Sequence, residues 1–386
     1  MRPRTAAAVA ASTTVLGAGA AVAAGRYAAG AALKPSGKAP PGFDGPALTV
    51  HATGPGQVTL TRSLVSQLPG VYGLTGPGLR AVVGNVLEAG PQEGRGGRRP
   101  EPGTPDTVVR RLVRVTEGEL RPGSRVRLTP QAYTGSPHGS LDLPCSDVDV
   151  PGELGPLPAW FVPGARDTWV VAVHGLGTTR DHPMVVMPLL HRMQFPVLSV
   201  ACRGDLGAPP APDGLGHLGD DEWRDVDAAM RYALRHGAER IVLFGWSTGA
   251  TAALLAAARS AARAQVAGLV LDSPVLDWRG TLRALAARRA PGPLLPLAVR
   301  AAQGRAGLRP ERLDEAADPA LLASPTLLLH GPGDTVASYD ASLAYADARP
   351  RLISVREVPH ARHAGCWNAD PMGVDESLRR FLTPLV

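Results

Sequence analysis

From about residue 145 to the C-terminus, short uninterrupted apolar runs alternate with helical stretches. That alternation predicts a parallel sheet covered on both faces. The predicted strands are Trp169 to Val173, Val197 to Ala201, Ile241 to Phe244, Leu269 to Leu271, Thr326 to Leu329 and Leu352 to Val358. Between them, the stretch Asp220 to His236 opens on three acidic residues and closes on Arg231, Arg235 and His236, the charges a helix dipole prefers at each end. Gly249 to Ala264 is almost entirely Ala and Leu, as suits a helix lying close against a sheet. Residues 279–320, rich in Arg and Pro, are too long for a simple connection and are expected to cap the site.

Upstream the pattern is different. Short β-type runs at Val58 to Thr61, Ala81 to Val83, Thr107 to Val115 and Arg125 to Leu128 are broken repeatedly by Gly and Pro. Between Val108 and Val115 apolar and basic positions are nearly interleaved, which predicts a sheet with one wet face and Arg guarding its edge. The long interval Gly90 to Asp106 reads as a loop. The domain plan is therefore an N-terminal segment over 1–33, a Pro-, Gly- and Lys-containing linker over 34–46, a β-rich region over 47–144, and a doubly wound, mostly parallel α/β domain over 145–386.

Composition narrows the function. The net charge of +6 comes from a basic set in which only Lys34 and Lys38 are lysines, a skew of base composition rather than a nucleic-acid footprint. The Arg-rich stretch Arg95 to Arg99 has no interleaved aromatic platform, so no nucleic-acid partner is expected. Three cysteines, Cys145, Cys202 and Cys366, allow at most one internal disulfide and have no metal-ligand spacing. No His-Glu-x-x-His or comparable pattern occurs, so no metal is expected. Residues 5–25 carry no charge and follow the basic head Arg2 to Arg4. They read as a membrane anchor, as a cleaved signal peptide or as an unstructured tail; either of the first two places the protein outside the cytoplasm.

One motif carries chemistry. Gly245-Trp246-Ser247-Thr248-Gly249 follows a buried strand and opens a small-residue helix, the context in which a Gly-x-Ser-x-Gly turn exposes a nucleophilic serine. An oxyanion formed at Ser247 needs two N–H donors: Thr248 supplies one, and Leu176, in the glycine-rich turn His174 to Gly177, is the choice for the other. His174 is read as a buttress of that turn. The acid expected next in chain order is Asp334, in the loop after the strand Thr326 to Leu329, with Asp272 as competitor. The base comes last, and the loop after Val358 offers both His360 and His363. His363 is preferred, because a reach back over Ser247 calls for a few residues beyond the strand end.

These residues, with Gly333-Asp334 and the ending His363 to Asn368, resemble the α/β-hydrolase superfamily over about 145–386. His217 to Trp223, Gly237 to Arg240 and the terminal Trp367-Asn368 are similar to a group of uncharacterised actinobacterial hydrolases of the serine peptidase-like branch, among whose members are lipid-acting esterases and thioesterases. The resemblance implies a Ser-His-Asp mechanism acting on a small-molecule or lipid-like acyl substrate without a cofactor. A peptidase or amidase, an acyltransferase and a non-catalytic envelope scaffold stay open as alternatives, and nothing carries over to the β-rich N-terminal region.

Overall fold

The computed structural model describes residues 27, 30, 33 and 34, then 39–87, 106–288 and 292–385. The uncharged run 5–25 and most of the loop 90–106 lie outside the described residues. Among the described residues no helix is long and apolar enough to cross a membrane.

The β-rich region closes on itself. Six strands, β1 (Leu48–Gly54), β2 (Gln57–Thr61), β3 (Tyr72–Gly76), β4 (Leu79–Val86), β5 (Thr107–Glu117) and β6 (Arg125–Thr129), form an antiparallel barrel in the order β1-β2-β5-β4-β3-β6. It is closed by the pairing of Leu48 with Val126 and of Thr49 with Arg125. Closure removes the free edges that an open sheet would have to protect. The expectation that arginines guard an edge in β5 is therefore corrected: β5 pairs with β2 on one side and β4 on the other. Arg110 instead points inward, fully buried, and donates from its guanidinium to the carbonyls of Ser66, Leu68 and Gly70 at 3.0, 2.6 and 3.0 Å. Burial lowers its pKa to about 10, so it remains charged at neutral pH. β1 and β3 were not among the predicted strands; β3 holds two glycines in five residues, which hides its alternation.

The second part is an eight-stranded sheet in the order β14-β13-β12-β11-β9-β10-β8-β7. Its parallel strands are β9 (Thr168–Val173), β10 (Val197–Val200), β11 (Arg240–Trp246), β12 (Val266–Asp272), β13 (Thr326–His330) and β14 (Ile353–Glu357), each within a few residues of its predicted bounds. β7 (Ser146–Pro151) and β8 (Pro156–Val162) add an antiparallel hairpin at one side of the sheet, unread in the sequence because β7 alternates acidic and apolar residues beside Pro and Gly.

Helices cover both faces. α1 (Met187–Arg192) and α8 (Pro371–Leu382) share one apolar cluster, with Phe195, Val170 and Val270 from the sheet side. On the other face lie α2 (Trp223–Arg235), α3 (Thr248–Arg259) and α7 (Tyr339–Asp347), with Val171, Leu243 and Leu269. α2 starts later than predicted, because its acidic leader is otherwise engaged. Glu222 accepts from the amides of His217 and Gly219, and Asp220 accepts from Arg309 N and Nε and from Arg312 Nη1. Those arginines belong to the excursion between β12 and β13, which forms α4 (Trp278–Ala287), α5 (Leu295–Arg305) and α6 (Pro310–Ala316). The excursion is anchored to the core domain by the buried carboxylate of Asp220. Beneath it Leu215, Leu218, Val275, Trp278, Leu282 and Val336 make an apolar cluster that also takes in Leu33, whose carbonyl accepts from Gly216 N at 2.8 Å.

Candidate active site

Parallel strands bring their C-terminal ends to one edge, so the loops after β9, β11, β13 and β14 meet there. Ser247 stands between β11 and α3 with φ 53° and ψ −120°, a conformation that a side-chain-bearing residue rarely adopts. Holding it there costs about 1–3 kcal/mol, which the surrounding structure must offset. The Ser247 amide is tied to the carbonyl of Asp272 at 2.8 Å, and its own carbonyl accepts from Ala250. The glycines on either side serve close approach: a Cβ at Gly245 would run into Ala250, and one at Gly249 into the carbonyls of Val173 and His174.

The loop after β14 carries His363 over this turn. Its Nε2 lies 2.6 Å from Ser247 Oγ, and its Nδ1 lies 2.8 Å from Asp334 Oδ2. A carboxylate can only accept, so Nδ1 carries the hydrogen and Nε2 offers its lone pair to the serine hydroxyl. Serine and histidine are both 2% exposed. The two alternatives weighed from sequence stand elsewhere. His360 is exposed with φ 63°, at the turn where the chain leaves β14. Asp272 does not meet the imidazole of His363: its carboxylate accepts from Ser273 Oγ at 2.9 Å and Cys366 N at 3.2 Å. Burial raises the Asp272 pKa to about 6, against the pull of those hydrogen bonds.

Asp334 is the better equipped acid. Its Oδ1 accepts from the amides of Val336 and Ala337 at 2.7 and 3.1 Å. Its Oδ2 is shared between His363 and a second imidazole, His330, whose Nε2 is 3.0 Å away and whose Nδ1 is 2.8 Å from Ser342 Oγ. Burial opposes ionisation, but His363 and His330 outweigh it and hold the carboxyl well below the usual carboxylate range. Nothing in the sequence analysis singled out His330. The available signal was its spacing: it ends β13 four residues before Asp334, close enough for the loop to fold the carboxylate back onto it.

Leu176 and Thr248, whose amides are the expected oxyanion donors, meet at the serine turn, with one detail that sequence could not supply. The Leu176 amide donates to Thr248 Oγ1 at 3.0 Å, so it is paired across the turn to the residue that follows the serine. The Thr248 amide lies in the first turn of α3, where N–H groups have no intrahelical acceptor. His174 is the expected buttress: its Nδ1 lies 3.0 Å from Gly175 O and its Nε2 2.6 Å from Asp205 Oδ2. With an acceptor at each nitrogen, its pKa is raised despite burial, the Asp205 charge being the main cause. A cavity of about 30 Å³ beside Leu176, Thr248, Asp205 and Glu222 has room for about one water. Among the described residues no group of three or more His, Cys, Asp or Glu side chains could hold a metal ion, and the three cysteines are unbonded thiols.

Comparison with known proteins agrees with the fold. Residues 170–382 match the model of the alpha/beta hydrolase family, and residues 49–129 match that of a domain of unknown function (DUF8805). No curated protein matches the chain. Among solved structures, the esterase Pf2001 of Pyrococcus furiosus in its P212121 crystal form is similar with a TM-score of 0.54 and 20% identity, over 65% of this chain and 95% of that one. In its P21 form the values are 0.53 and 18%, over 65% and 96%. At such identities the likeness is one of fold.

Proposed function

The chain belongs to the alpha/beta hydrolase family, and on that premise we propose that it is a serine hydrolase cleaving a carboxylic ester or related acyl bond through an acyl-enzyme on Ser247. The observation that carries this reading is the unbroken relay from Asp334 through His363 to Ser247, 2.8 and 2.6 Å long, at a strained and buried serine. In the first half-reaction His363 Nε2 takes the Ser247 proton as Oγ attacks the acyl carbon. The amides of Thr248 and Leu176 receive the oxyanion, Leu176 exchanging its bond to the Thr248 hydroxyl for one to the substrate oxygen. His363 then passes the proton to the departing alcohol. In the second half the same imidazole deprotonates a water, which attacks the acyl carbon, releases the acid and returns the proton to Ser247.

The acyl group is apolar in this reading. Leu176, Val275 and Val336, which flank the oxyanion turn, the β12 end and the acid loop, all face the apolar cluster beneath the cap. The uncharged run 5–25 serves as membrane anchor or export signal, so that substrate is met at or beyond a membrane; the intact mass of the mature protein reports whether the segment is removed.

Labelling by a fluorophosphonate probe tests the nucleophile. The wild-type chain is expected to be labelled and Ser247→Ala is not; retention of label in the variant removes Ser247 from its role. A panel of p-nitrophenyl acyl esters and peptide anilides tests the leaving group, and turnover of anilides alone would sink the ester reading in favour of a peptidase.

A further inference from the structure

The N-terminal barrel does more than accompany the hydrolase domain: we propose that it clamps the loop carrying His363, with Asn368 and Gly42 as positioning residues for the base. The inference rests on the triad reading above.

The loop from Val358 to Ala369 has little structure of its own, only the short helical turn Cys366–Ala369 at its end. A histidine on such a loop needs external support to keep both of its ring contacts. Part of that support comes from the hydrolase domain, where Ala364 N donates to Ser273 Oγ and Cys366 N to Asp272. The rest comes from the barrel. Asn368 is fully buried, and its Nδ2 donates to Val71 O at 2.8 Å and to Pro130 O at 2.9 Å, while its own carbonyl accepts from Val71 N at 2.8 Å. Val71 immediately precedes β3 and Pro130 immediately follows β6, and these strands are paired, with Gly73 opposite Thr129. Both acceptors thus belong to one rigid end of the barrel. Behind Val71, the loop carbonyls of Ser66, Leu68 and Gly70 are pinned from inside the barrel by Arg110. The buried arginine therefore has a purpose beyond barrel stability: it stiffens the surface on which the histidine loop rests.

The chain entering the barrel provides a second hold. Gly42, with φ +87°, lies directly on the histidine: a Cβ there would stand 2.9 Å from His363 Cβ. The Gly42 carbonyl accepts from Arg362 Nη1 at 3.1 Å. Phe43 is buried in the barrel core beside Tyr72, and its ring edge reaches Gly365, 3.3 Å from where a Cβ would be. Residues 362, 363, 365 and 368 are thus all held by the barrel or its leading segment. This accounts for Asn368 in the Trp367-Asn368 ending, which plays no part in the proton relay. A base displaced by about 1 Å from its reacting atom loses about 10²-fold in rate, so a clamp of this kind acts on kcat rather than on substrate binding.

The test uses the full chain and compares Asn368→Ala, Gly42→Ala and Leu79→Ala. Leu79 is buried in the barrel core at the far end of β3 from Val71, beyond the hairpin turn, so Leu79→Ala weakens the barrel without touching the clamp. Initial rates on a p-nitrophenyl ester and the second-order rate of fluorophosphonate labelling are measured on protein shown to be folded by its thermal transition. Asn368→Ala and Gly42→Ala are expected to lose about 30- to 100-fold in kcat and in labelling rate with KM within about threefold. Leu79→Ala, despite a lowered Tm, keeps the wild-type values. If Asn368→Ala does not fold, Gly42→Ala decides alone. Wild-type labelling rates in folded Asn368→Ala and Gly42→Ala, or an equal loss in Leu79→Ala, overturn the clamp while leaving the triad intact. A wild-type chain that is not labelled at Ser247 overturns the triad reading, and the clamp with it.

Discussion

Asp334→Asn is the substitution that most directly tests the relay. The amide oxygen can keep the hydrogen bonds from Val336 and Ala337, so the acid loop retains its local anchor. The amide nitrogen then replaces Oδ2 and faces two ring N–H groups, His363 Nδ1 at 2.8 Å and His330 Nε2 at 3.0 Å. A buried donor opposed to donors forfeits about 1–3 kcal/mol for each unmade bond, more than enough to drive an imidazole to its other tautomer. In that tautomer His363 Nδ1 accepts from the new amide and Nε2 carries the hydrogen. The lone pair 2.6 Å from Ser247 Oγ is gone, and the serine has no base. A serine triad altered in this way loses about 10⁴-fold in kcat, equivalent to about 5–6 kcal/mol of transition-state stabilisation. Initial rates of p-nitrophenyl ester hydrolysis at saturating substrate measure this, beside Asp272→Asn as the comparison and a thermal transition to show that each variant is folded. A kcat within tenfold of wild type for Asp334→Asn, or the larger loss in Asp272→Asn, would refute the assignment of the acid.

The two histidines of the same loop separate cleanly: His363→Ala should lower kcat by about 10⁴-fold or more, while exposed His360→Ala should stay within about threefold, and a reversed order would reassign the base. Asp272 gives a pH signature. Its folded pKa of about 6 lies above the ordinary 3.8, so the folded state holds the proton more tightly and the contribution is full below pH 4 and lost as pH rises to 6. The loss is about 3 kcal/mol; denaturant unfolding at pH 4 and pH 6.5 should show wild type losing ground to Asp272→Asn by that order, and a difference that does not move with pH contradicts the account. Gly249→Ala drives a methyl into the carbonyls of Val173 and His174 and should destabilise the fold by about 1–3 kcal/mol, read as a lowered Tm; an unchanged Tm would show that the turn has room to spare.

Much of the hydrolase domain was legible because its signals are local. A buried strand reads as an apolar run, a dipole-matched helix as acidic then basic ends, and the serine turn as two glycines between a strand and a small-residue helix. All six predicted parallel strands form, and Ser247, Asp334 and His363 come together in the expected chain order. The barrel was half legible: four of its six strands were read, and its closure was not, since the pairing of β1 with β6 joins residues more than seventy positions apart and no periodicity encodes it.

What the sequence alone determined, then, is the layered α/β architecture, the serine turn and the chain order of Ser247, Asp334 and His363, because periodicity and turn chemistry act over a few residues at a time. Tertiary structure decided everything that depends on where a loop travels. It set His363 over Ser247 and left His360 in solvent, though the two lie three residues apart. It turned Asp272 toward Cys366 and Asp334 toward two imidazoles, although each follows or ends a parallel strand. It brought Asn368 against Val71 and Pro130, contacts that span most of the chain. Loop trajectories are fixed by burial and hydrogen bonding between segments remote in sequence, and only the folded chain brings those segments together.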